Sequence, residues 1–250
     1  MHEQSGKKWL CVELPVLEYA KARNLQAQLI SKISDGDIDT NVVLMLEHPP
    51  VFTLGRRGGS KNLTVSEEFL EKAGIPVIHV ERGGDITFHG PGQLIVYPII
   101  DLRALKISVT KYVDSLEEVM IRTVGQWGIK ARRNQVNRGI WVGNNKLGSI
   151  GIAIRHGISF HGLSLNVNLS LEPFGWINPC GLHGVGATSI ERELSVNVRM
   201  NPVREAVKRY FKIVFGVELI ITSLSELQGT ANARTKASLV KKAPAGGSNI

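Results

Sequence analysis

The two cysteines of the chain stand in different settings, and only one of them suits nucleophilic chemistry. Cys180 lies between Pro179 and Gly181 in the irregular stretch NPCG, whereas Cys11 lies inside the apolar segment WLCVEL. The thiolate is the reactive form of cysteine, and it needs an accessible position and a group that favours it. A lone cysteine is more often a small buried apolar residue. Cys180 is therefore the candidate nucleophile, and Cys11 is expected to be inert.

Lys146 is the second residue that could do chemistry. It follows an Asn-Asn turn, where a solvated lysine is the ordinary expectation. Strand alternation, however, places Lys146 on the same face as Ile150, Ile152 and Ile154, which should face the core. A lysine that points inward needs a partner or a lowered pKa. A bulge near Gly148 would reverse this inference.

Histidines offer weaker signals. They lie at His79, His89, His156, His161 and His183 in the central region, without a helical i, i+4 pair, an HExxH motif or an accompanying cysteine pair. The sequence therefore predicts no metal site, and by itself His89 is most simply a loop residue that bonds to backbone.

The segment RGGDITFHGPGQ, residues 82–93, is rich in glycine and lies between the apolar runs IPVIHV and LIVYPII. Connections between strands are usually short, so a long one with few side chains indicates that a ligand approaches the backbone. Backbone amides in such a loop can serve as hydrogen-bond donors. The segment matches neither a Walker A sequence nor a dinucleotide-binding GxGxxG, so it does not specifically indicate phosphate.

The elements that must position these residues are a mixture of strands and helices. Apolar patterns predict strands at 9–14, 41–48, 75–80, 94–100 and 158–169, and a hairpin over 139–154. Helices are predicted at 15–33, at 64–74 from the capping box of Thr64 and Glu67, at 109–127 and at 201–216. Hairpins mixed with helices predict an α+β (α/β) single domain with a mixed, mostly antiparallel sheet flanked by helices. This domain is assigned to residues 1–227, and 228–250, which lacks periodicity, is predicted to be a disordered tail.

Composition bounds the class of protein. The chain has 250 residues, of which 43% are apolar, and a net charge of +8. No apolar run reaches the ~18–20 residues of a membrane span, the amino end lacks a signal-peptide pattern, and two cysteines make no disulfide framework, so a cytoplasmic protein is expected. The positive charge indicates an acidic partner, but the basic residues are scattered and do not favour nucleic acid or a membrane.

Several segments together carry a resemblance to a known family. They are EHPPVFTLGRR (47–57), RGGDITFHGPGQLIVYP (82–98), KLGSIGIAI (146–154), SFHGLSLNVN (159–168) and NPCG (178–181). In this order they resemble the lipoyl(octanoyl) transferases, the enzymes that move octanoyl from acyl carrier protein to lipoyl domains.

The resemblance implies a fold similar to the catalytic domains of biotin and lipoate protein ligases. By analogy, Cys180 would carry the acyl group as a thioester, and Lys146 would lie beside it and lower its pKa. The residues that the resemblance assigns to the acyl pocket are Arg82, Gly83, Gly84, Asp85, Ile86, Thr87, Phe88, His89, Ser149, Ile150, Gly151, Gly162, Leu163 and Ser164.

The implied reaction fits these residue types. It needs an activated thiol, donors for a tetrahedral oxyanion and an apolar pocket, but no cofactor or metal. Octanoyl-acyl carrier protein would be the donor, and lipoyl domains of 2-oxoacid dehydrogenases and the glycine cleavage H protein would be the acceptors. Exchange between thioesters is nearly balanced and the final amide is downhill, so ATP is not required.

Two other functions stay open on the sequence alone. An ATP-dependent lipoate or biotin protein ligase of the same fold would activate a free acid and need no cysteine. The NPCG context of Cys180 and the lack of a biotin-ligase GRGRxG stretch argue against it. A non-catalytic module that binds acyl chains or nucleic acid would account for the charge of +8.

Overall fold

The computed structural model of the protein describes residues 7–134, 137–178 and 186–227. The strands, in chain order, are β1 Lys7–Val16, β2 Val42–Glu47, β3 Val51–Leu54, β4 Val77–His79, β5 Ile86–His89, β6 Gln93–Asp101, β7 Arg132–Arg133, β8 Gly139–Val142, β9 Asn145–Arg155, β10 Ile158–Asn166, β11 Gly186–Ala187 and β12 Val217–Ile221. The helices are α1 Tyr19–Ser34, α2 Glu67–Lys72, α3 Leu102–Leu105, α4 Val109–Gly125, α5 Ile190–Leu194 and α6 Met200–Phe215.

A large sheet organises the molecule. Its strand order is β12-β1-β2-β6-β10-β9-β8-β7, with β11 paired to β9. β1 is parallel to both β12 and β2, and β11 is parallel to β9, whereas the other neighbours are antiparallel. The mixed, mostly antiparallel sheet predicted from the sequence is confirmed.

The two faces of this sheet are covered differently. α4 and α6 pack on one face, where Leu116, Met120 and Phe211 join a continuous apolar core. α1 packs on the other face through residues such as Leu25 and Leu29. A second, small sheet of order β4-β3-β5 has its own apolar core with α2.

The small sheet contains two strands that the sequence patterns did not predict. β3 lies outside every strand predicted from the sequence, and β5 lies inside the glycine-rich segment. These short strands pair with each other in antiparallel register, Phe52 opposite Phe88, and their stability comes from this pairing. The expectation of a continuous loop over 82–93 is therefore wrong.

Two predicted helix starts also differ. β1 continues to Val16, which pairs with Glu47 after a register shift, so Pro15 lies in the strand and α1 begins only at Tyr19. α2 is capped by Ser66, whose side chain accepts from the N–H of Phe69, rather than by Thr64. Thr64 lies outside the helix and donates its N–H to the carbonyl of Trp176 at 2.9 Å.

Two of the sequence predictions lie outside the described residues, namely the nucleophile Cys180 and the tail 228–250. In the ranges that the structure does describe, no helix combines the length and apolar character needed to cross a membrane.

Candidate active site

A cavity of about 350 Å³ lies where the large and small sheets meet. Most of the predicted pocket residues line it, namely Arg82, Gly84, Asp85, Ile86, Thr87, His89, Ser149, Ile150, Gly151, Gly162, Leu163 and Ser164. Residues 149–151 of β9 and 162–164 of β10 lie side by side, because Ser149 pairs with Ser164 and Gly151 pairs with Gly162. Leu171 and Phe174 add apolar surface to the wall. Phe174 belongs to a 3-10 turn over Glu172–Trp176, and Leu171 directly precedes this turn.

Phe88 and Gly83 lie elsewhere. The Phe88 ring packs in the core of the small sheet, 5.2 Å from Phe52 between ring centroids, and 5.8 Å from Phe174. Phe88 thus stands behind the cavity wall, because alternation along β5 sends its side chain away from the side of Thr87 and His89. Gly83 lines an adjacent groove and donates its N–H to the carbonyl of Ile152 at 2.9 Å.

Most glycines in this region are required because neighbouring protein atoms leave no room for a Cβ. A Cβ at Gly162 would lie 2.2 Å from the carbonyl oxygen of Val96, and one at Gly151 would lie 2.9 Å from Cδ of Arg82. A Cβ at Gly92 would lie 2.6 Å from the amide nitrogen of Leu169. Gly84 alone among these both lines the cavity with room for a Cβ and has a left-handed φ of 84°. The interpretation that ligand approach explains the glycines is therefore too broad.

Lys146 lies at the more exposed end of the cavity. Its Nζ donates to Oδ1 of Asn137 at 2.6 Å and lies 5.3 Å from the ring centroid of Trp141. A cation above an indole ring is attracted to its π face. The lysine is therefore held by a hydrogen bond and an aromatic ring while its ammonium faces the cavity.

The reason for the orientation of Lys146 differs from the sequence argument. The β8–β9 register shifts between the pairs Ile140↔Gly148 and Trp141↔Lys146, so a bulge at Leu147 lies between the lysine and the isoleucines. Leu147 is fully buried against α4, which leaves Lys146 on the opposite face, with the cavity. Ile154 is 38% exposed and does not face the core as predicted. The bulge shifts the alternation of side chains along β9 by one residue. Leu147 therefore lies on the face of α4, and Lys146 lies on the face of the cavity.

Asn137 is a site residue that sequence reasoning missed. A buried carboxylate positions the strand that follows it, because Oε1 of Glu117 accepts the N–H of Gly139 at 2.9 Å. Oε2 of Glu117 also accepts from Arg138 at 3.2 Å. No motif in the sequence marks Asn137, since its role depends on α4 and β9 meeting in the fold.

The deep end of the cavity carries polar aromatic side chains. Tyr19, His89, Tyr97 and His161 line it and are each at least 93% buried. Oη of Tyr19 lies 3.3 Å from Nδ1 of His161. Burial lowers the pKa of His161 to about 4 and that of His89 to about 3, so both imidazoles are neutral near pH 7.

His48 stands just behind this end and has a fixed tautomer. Its Nδ1 donates to the carbonyl of Leu17 at 2.6 Å, so its Nε2 accepts from the hydroxyl of Tyr97 at 2.8 Å. Burial lowers the pKa of His48 to about 4. Neither His48 nor the two tyrosines was predicted, because they come from α1, the β2–β3 connection and β6, which carry no shared motif.

A chain of hydrogen bonds runs beside the cavity. Arg82 donates to the hydroxyl of Thr53, which lies 3.4 Å from Nε2 of His89. His89 Nδ1 donates to Gln93 at 2.7 Å, and Gln93 donates in turn to Asn166 at 2.9 Å. These polar groups are therefore satisfied within the protein, which fixes the wall of the cavity around them.

The described residues that follow the segment of Cys180 return to the cavity. Gly186 and Ala187 line it and pair with Asn145 and Lys146. The N–H of Thr188 donates to the carbonyl of Lys146 at 3.0 Å. The backbone on the carboxyl side of the Cys180 segment is thus bonded directly to the lysine strand.

Cys11 has the environment expected of an inert thiol. It is fully buried in the apolar core, and burial, with a smaller contribution from Glu13, raises its pKa to about 12. Such a thiol is protonated near pH 7 and unsuited to nucleophilic attack. Within residues 7–134, 137–178 and 186–227, no three His, Cys, Asp or Glu side chains are arranged to hold a metal ion.

Comparison with known proteins identifies the family that this chain resembles. A family model described as the lipoyl protein ligase A/B catalytic domain matches residues 18–212. The octanoyltransferase of Desulfotalea psychrophila is 46% identical over 219 residues, which cover 87% of this chain and 98% of that protein. The octanoyltransferase of Syntrophobacter fumaroxidans is 43% identical over 226 residues, which cover 90% and 99%.

Solved structures show the same fold at low sequence identity. The crystal structure of lipoate-protein ligase A bound with ATP has a TM-score of 0.67 at 17% identity, covering 93% of this chain and 95% of that one. A bipartite lipoate protein ligase from Thermoplasma acidophilum, described with its lipoyl domain, has a TM-score of 0.64 at 16% identity and covers 93% and 92%. The fold class expected from the sequence, with its likeness to lipoate ligases, is confirmed.

Proposed function

The chain belongs to the octanoyltransferases, within the lipoyl protein ligase A/B catalytic-domain family, and from this premise we propose how it carries out the transfer. The octanoyl group comes from octanoyl-acyl carrier protein, is held as a thioester on Cys180, and passes to the acceptor lysine of a lipoyl domain. The acceptors are the lipoyl domains of 2-oxoacid dehydrogenases and the glycine cleavage H protein.

One observation carries the proposal most directly. The cavity is lined mainly, though not wholly, by apolar surface, with the buried side chains of Tyr97 and His161 at one end and the ammonium of Lys146 at the other. An acyl chain buries its methylenes in such a cavity at about 0.8 kcal/mol each, while its reactive carbonyl stays near the lysine. The chain that follows the Cys180 segment leads to this same end, since Ala187 pairs with Lys146.

The first step is thioester exchange. The Sγ atom of Cys180 attacks the acyl carbonyl carbon, a new C–S bond forms, and the C–S bond to the carrier breaks. The proton lost by Cys180 passes by way of Lys146 to the departing sulfur of the carrier. Asn137, which accepts from Nζ at 2.6 Å, holds the lysine in one orientation during this transfer.

The second step forms the amide. The ε-amine of the acceptor lysine attacks the thioester carbon, a C–N bond forms, and the bond to Sγ breaks. The proton lost by the amine returns to the Cys180 thiolate, again by way of Lys146. Both steps use the same lysine and the same cavity, and neither consumes ATP.

The nucleophile is tested by intact-protein mass spectrometry after mixing with octanoyl-acyl carrier protein. The wild type should gain one octanoyl group, and the Cys180→Ser variant should not form the thioester and should lose turnover by several orders of magnitude. Cys11→Ala is the matched control, because Cys11 is buried with a raised pKa, and it should keep the adduct and the activity.

Two results would contradict this proposal. An octanoyl adduct on Cys11, or an active Cys180→Ala variant, would assign the chemistry to another group. Product formed from free octanoate and ATP, with none from octanoyl-acyl carrier protein, would instead indicate an ATP-dependent ligase.

A further inference from the structure

The chain that leads toward Cys180 is bonded to a short stretch that precedes α2. An antiparallel bridge and two backbone hydrogen bonds join residues 62–64 to residues 176–178. In one of these bonds the N–H of Asn178 donates to the carbonyl of Asn62 at 2.9 Å. Asn178 precedes Cys180 by two positions and is the last described residue before it. The carbonyl of Asn62 therefore holds the backbone at the point where the described chain reaches the Cys180 segment.

The side chain of Asn62 bonds to the wall of the acyl cavity. Its Nδ2 donates to Oδ2 of Asp85 at 2.5 Å, while Oδ1 of Asp85 accepts the N–H of Ile86 at 2.7 Å. A carboxylate only accepts hydrogen bonds, so the amide nitrogen of Asn62 must face it, and such charge-assisted bonds are stronger than neutral ones. Asp85 is 8% exposed and lines both the cavity and the adjacent groove, as Asn137 does. One residue thus bonds both to the cavity wall and to the chain before Cys180.

Thioester exchange explains why these bonds matter. The attacking sulfur must come within about 3–3.5 Å of the acyl carbonyl carbon, and a misplacement of about 1 Å can cost a hundredfold in rate. On the carboxyl side of the Cys180 segment, Ala187 pairs with Lys146, which lines the cavity. On the amino side, Asn178 is joined to the cavity wall through Asn62. The described chain is therefore tied to the cavity on both sides of Cys180.

We propose that Asn62 is a positioning residue for acyl transfer, because it fixes the cavity wall at Asp85 and the backbone at Asn178 relative to each other. The inference rests on the proposed function, in which Cys180 attacks an acyl group that lies in the cavity. Among the described residues Asn62 is not part of the cavity lining, and it lies in none of the segments that carry the family resemblance. It acts through its two partners, so its effect falls on the rate of transfer rather than on binding of the donor.

The test exchanges the two members of the side-chain pair. Asn62→Ala removes the donor but keeps the backbone carbonyl that accepts from Asn178. Asn62→Asp places a second carboxylate beside Asp85, where the two charges repel and no N–H is donated. Adding Asp85→Asn to Asn62→Asp reverses the pair, since the amide at 85 then donates to the carboxylate at 62. The amide oxygen at 85 can still accept from Ile86.

Thr64→Ala is the matched control. Oγ1 of Thr64 donates to the carbonyl of Gly175 at 3.3 Å, so this variant also removes a side-chain hydrogen bond between the two stretches of chain. It leaves the bond between Asn62 and Asp85 in place, and it should transfer octanoyl at the wild-type rate.

The readouts are single-turnover formation of the octanoyl adduct from octanoyl-acyl carrier protein, steady-state kcat and KM for that donor, and alkylation of Cys180 by iodoacetamide. We expect Asn62→Ala to slow adduct formation and kcat by about tenfold to a hundredfold, with KM close to wild type. Asn62→Asp should be at least as slow, and adding Asp85→Asn should recover most of the loss. Alkylation should keep its wild-type rate in Asn62→Ala, because a small reagent needs no alignment with the cavity.

The outcomes separate this inference from the proposed function. If the wild type forms the adduct and Asn62→Ala forms it equally fast, the positioning role is refuted and the proposed function stands. The role is also refuted if Asp85→Asn brings no recovery to Asn62→Asp, or if Thr64→Ala is as slow as Asn62→Ala. Faster alkylation of Cys180 in Asn62→Ala would indicate general loosening of the chain and would overturn the inference as well. If the wild type forms no octanoyl adduct, the proposed function fails, and the inference fails with it.

Discussion

The two faces of the large sheet use the same strands for different purposes. On the face of α4 and α6, side chains such as Leu116, Val119 and Phe211 form a continuous apolar core. On the opposite face, α1 covers only part of the sheet, and β9 and β10 present serines, glycines and Lys146 to the cavity.

The side chains that stabilise the fold and the side chains that form the candidate site therefore lie on opposite faces of the same sheet. Alternation along β10 sends Leu163 and Leu165 to the core of α4, while Ser164 and Asn166 turn to the other side. The cavity side contains neutral histidines and a strained residue, which are features that a core face avoids. We therefore expect substitutions on the two faces to affect different measurements.

The largest expected effect is at the cavity end that holds Lys146. Lys146→Ala should lower the transfer rate by about 10²- to 10⁴-fold, the range of general acid–base catalysis, with little change in the unfolding free energy. Alkylation of Cys180 followed against pH should move to higher pH, because the group that favours the thiolate is gone. Lys146→Arg should recover only part of the rate, since arginine keeps the charge but does not give up its proton.

Lys130→Ala, at an exposed lysine, is the control for this experiment and should keep the wild-type rate. Identical alkylation curves in the wild type and Lys146→Ala would show that Lys146 does not act on Cys180.

Substitutions on the opposite face, which packs against α4 and α6, should lower the unfolding free energy rather than the transfer rate. Leu116 is fully buried on α4, so Leu116→Ala should lower the unfolding free energy by about 2–5 kcal/mol through lost burial and a cavity. Urea denaturation measures this loss, and the rate per folded molecule should stay close to wild type. A large fall in the rate per folded molecule would show that the two faces are coupled more tightly than the packing suggests.

The histidines of the cavity face should make the protein sensitive to mild acid. Burial lowers the pKa of His48, His89 and His161 to about 4, 3 and 4, below the 6.5 of an exposed histidine. The unfolded chain therefore binds more protons between these values, so their contribution is complete above pH 6.5 and is lost as the pH falls toward 4. Each histidine should cost about 1 kcal/mol of stability for the first pH unit below 6.5.

Urea midpoints between pH 7.5 and 5 measure this dependence. A His48→Gln variant should show a shallower slope, whereas His156→Gln, at an exposed position, should keep the wild-type slope. Equal slopes in all three proteins would show that protonation of His48 costs no more free energy in the folded protein than in the unfolded chain.

The smallest effect concerns a pair of left-handed glycines. Gly84 lines the cavity with a φ of 84°, and Gly36 has a φ of 82° in an exposed turn with no atom near its Cβ position. Alanine at either position should cost about 1–2 kcal/mol of stability, because the left-handed conformation disfavours a side chain. Gly84→Ala should in addition reduce transfer, whereas Gly36→Ala should not. Equal transfer rates would remove Gly84 from the site.

The sequence predicted the long periodic elements well and the short ones poorly. α4 shows a clear apolar face, and α6 ends at Gly216 as its glycine indicates, with a φ of 63°. β3 and β5 were missed because four residues carry little periodic signal, and their stability comes from pairing across the small sheet. Local patterns could not show that partner.

For the site, the family resemblance identified most of the cavity wall, Lys146 at one end and His89 at the other, but not the residues that surround these two. Ser149 and Gly162 lie in recognisable motifs, and both line the cavity. Asn137, Tyr19 and Tyr97 come from separate elements, so only the assembled fold places them there. Physical contact between distant segments has no signature in one sequence, whereas a shared motif does.

The pairing of β1 with β12 has a consequence for how the protein is made. Lys7 pairs with Val217, so one edge of β1 has no partner until the ribosome has added some 210 further residues. At translation rates of about 5–20 residues per second, that interval is roughly 10–40 s. During this time the nascent chain presents an unpaired strand edge that other chains could extend. We therefore expect translation to be the period in which this protein depends most on chaperones, and a stop before β12 to leave an aggregation-prone product.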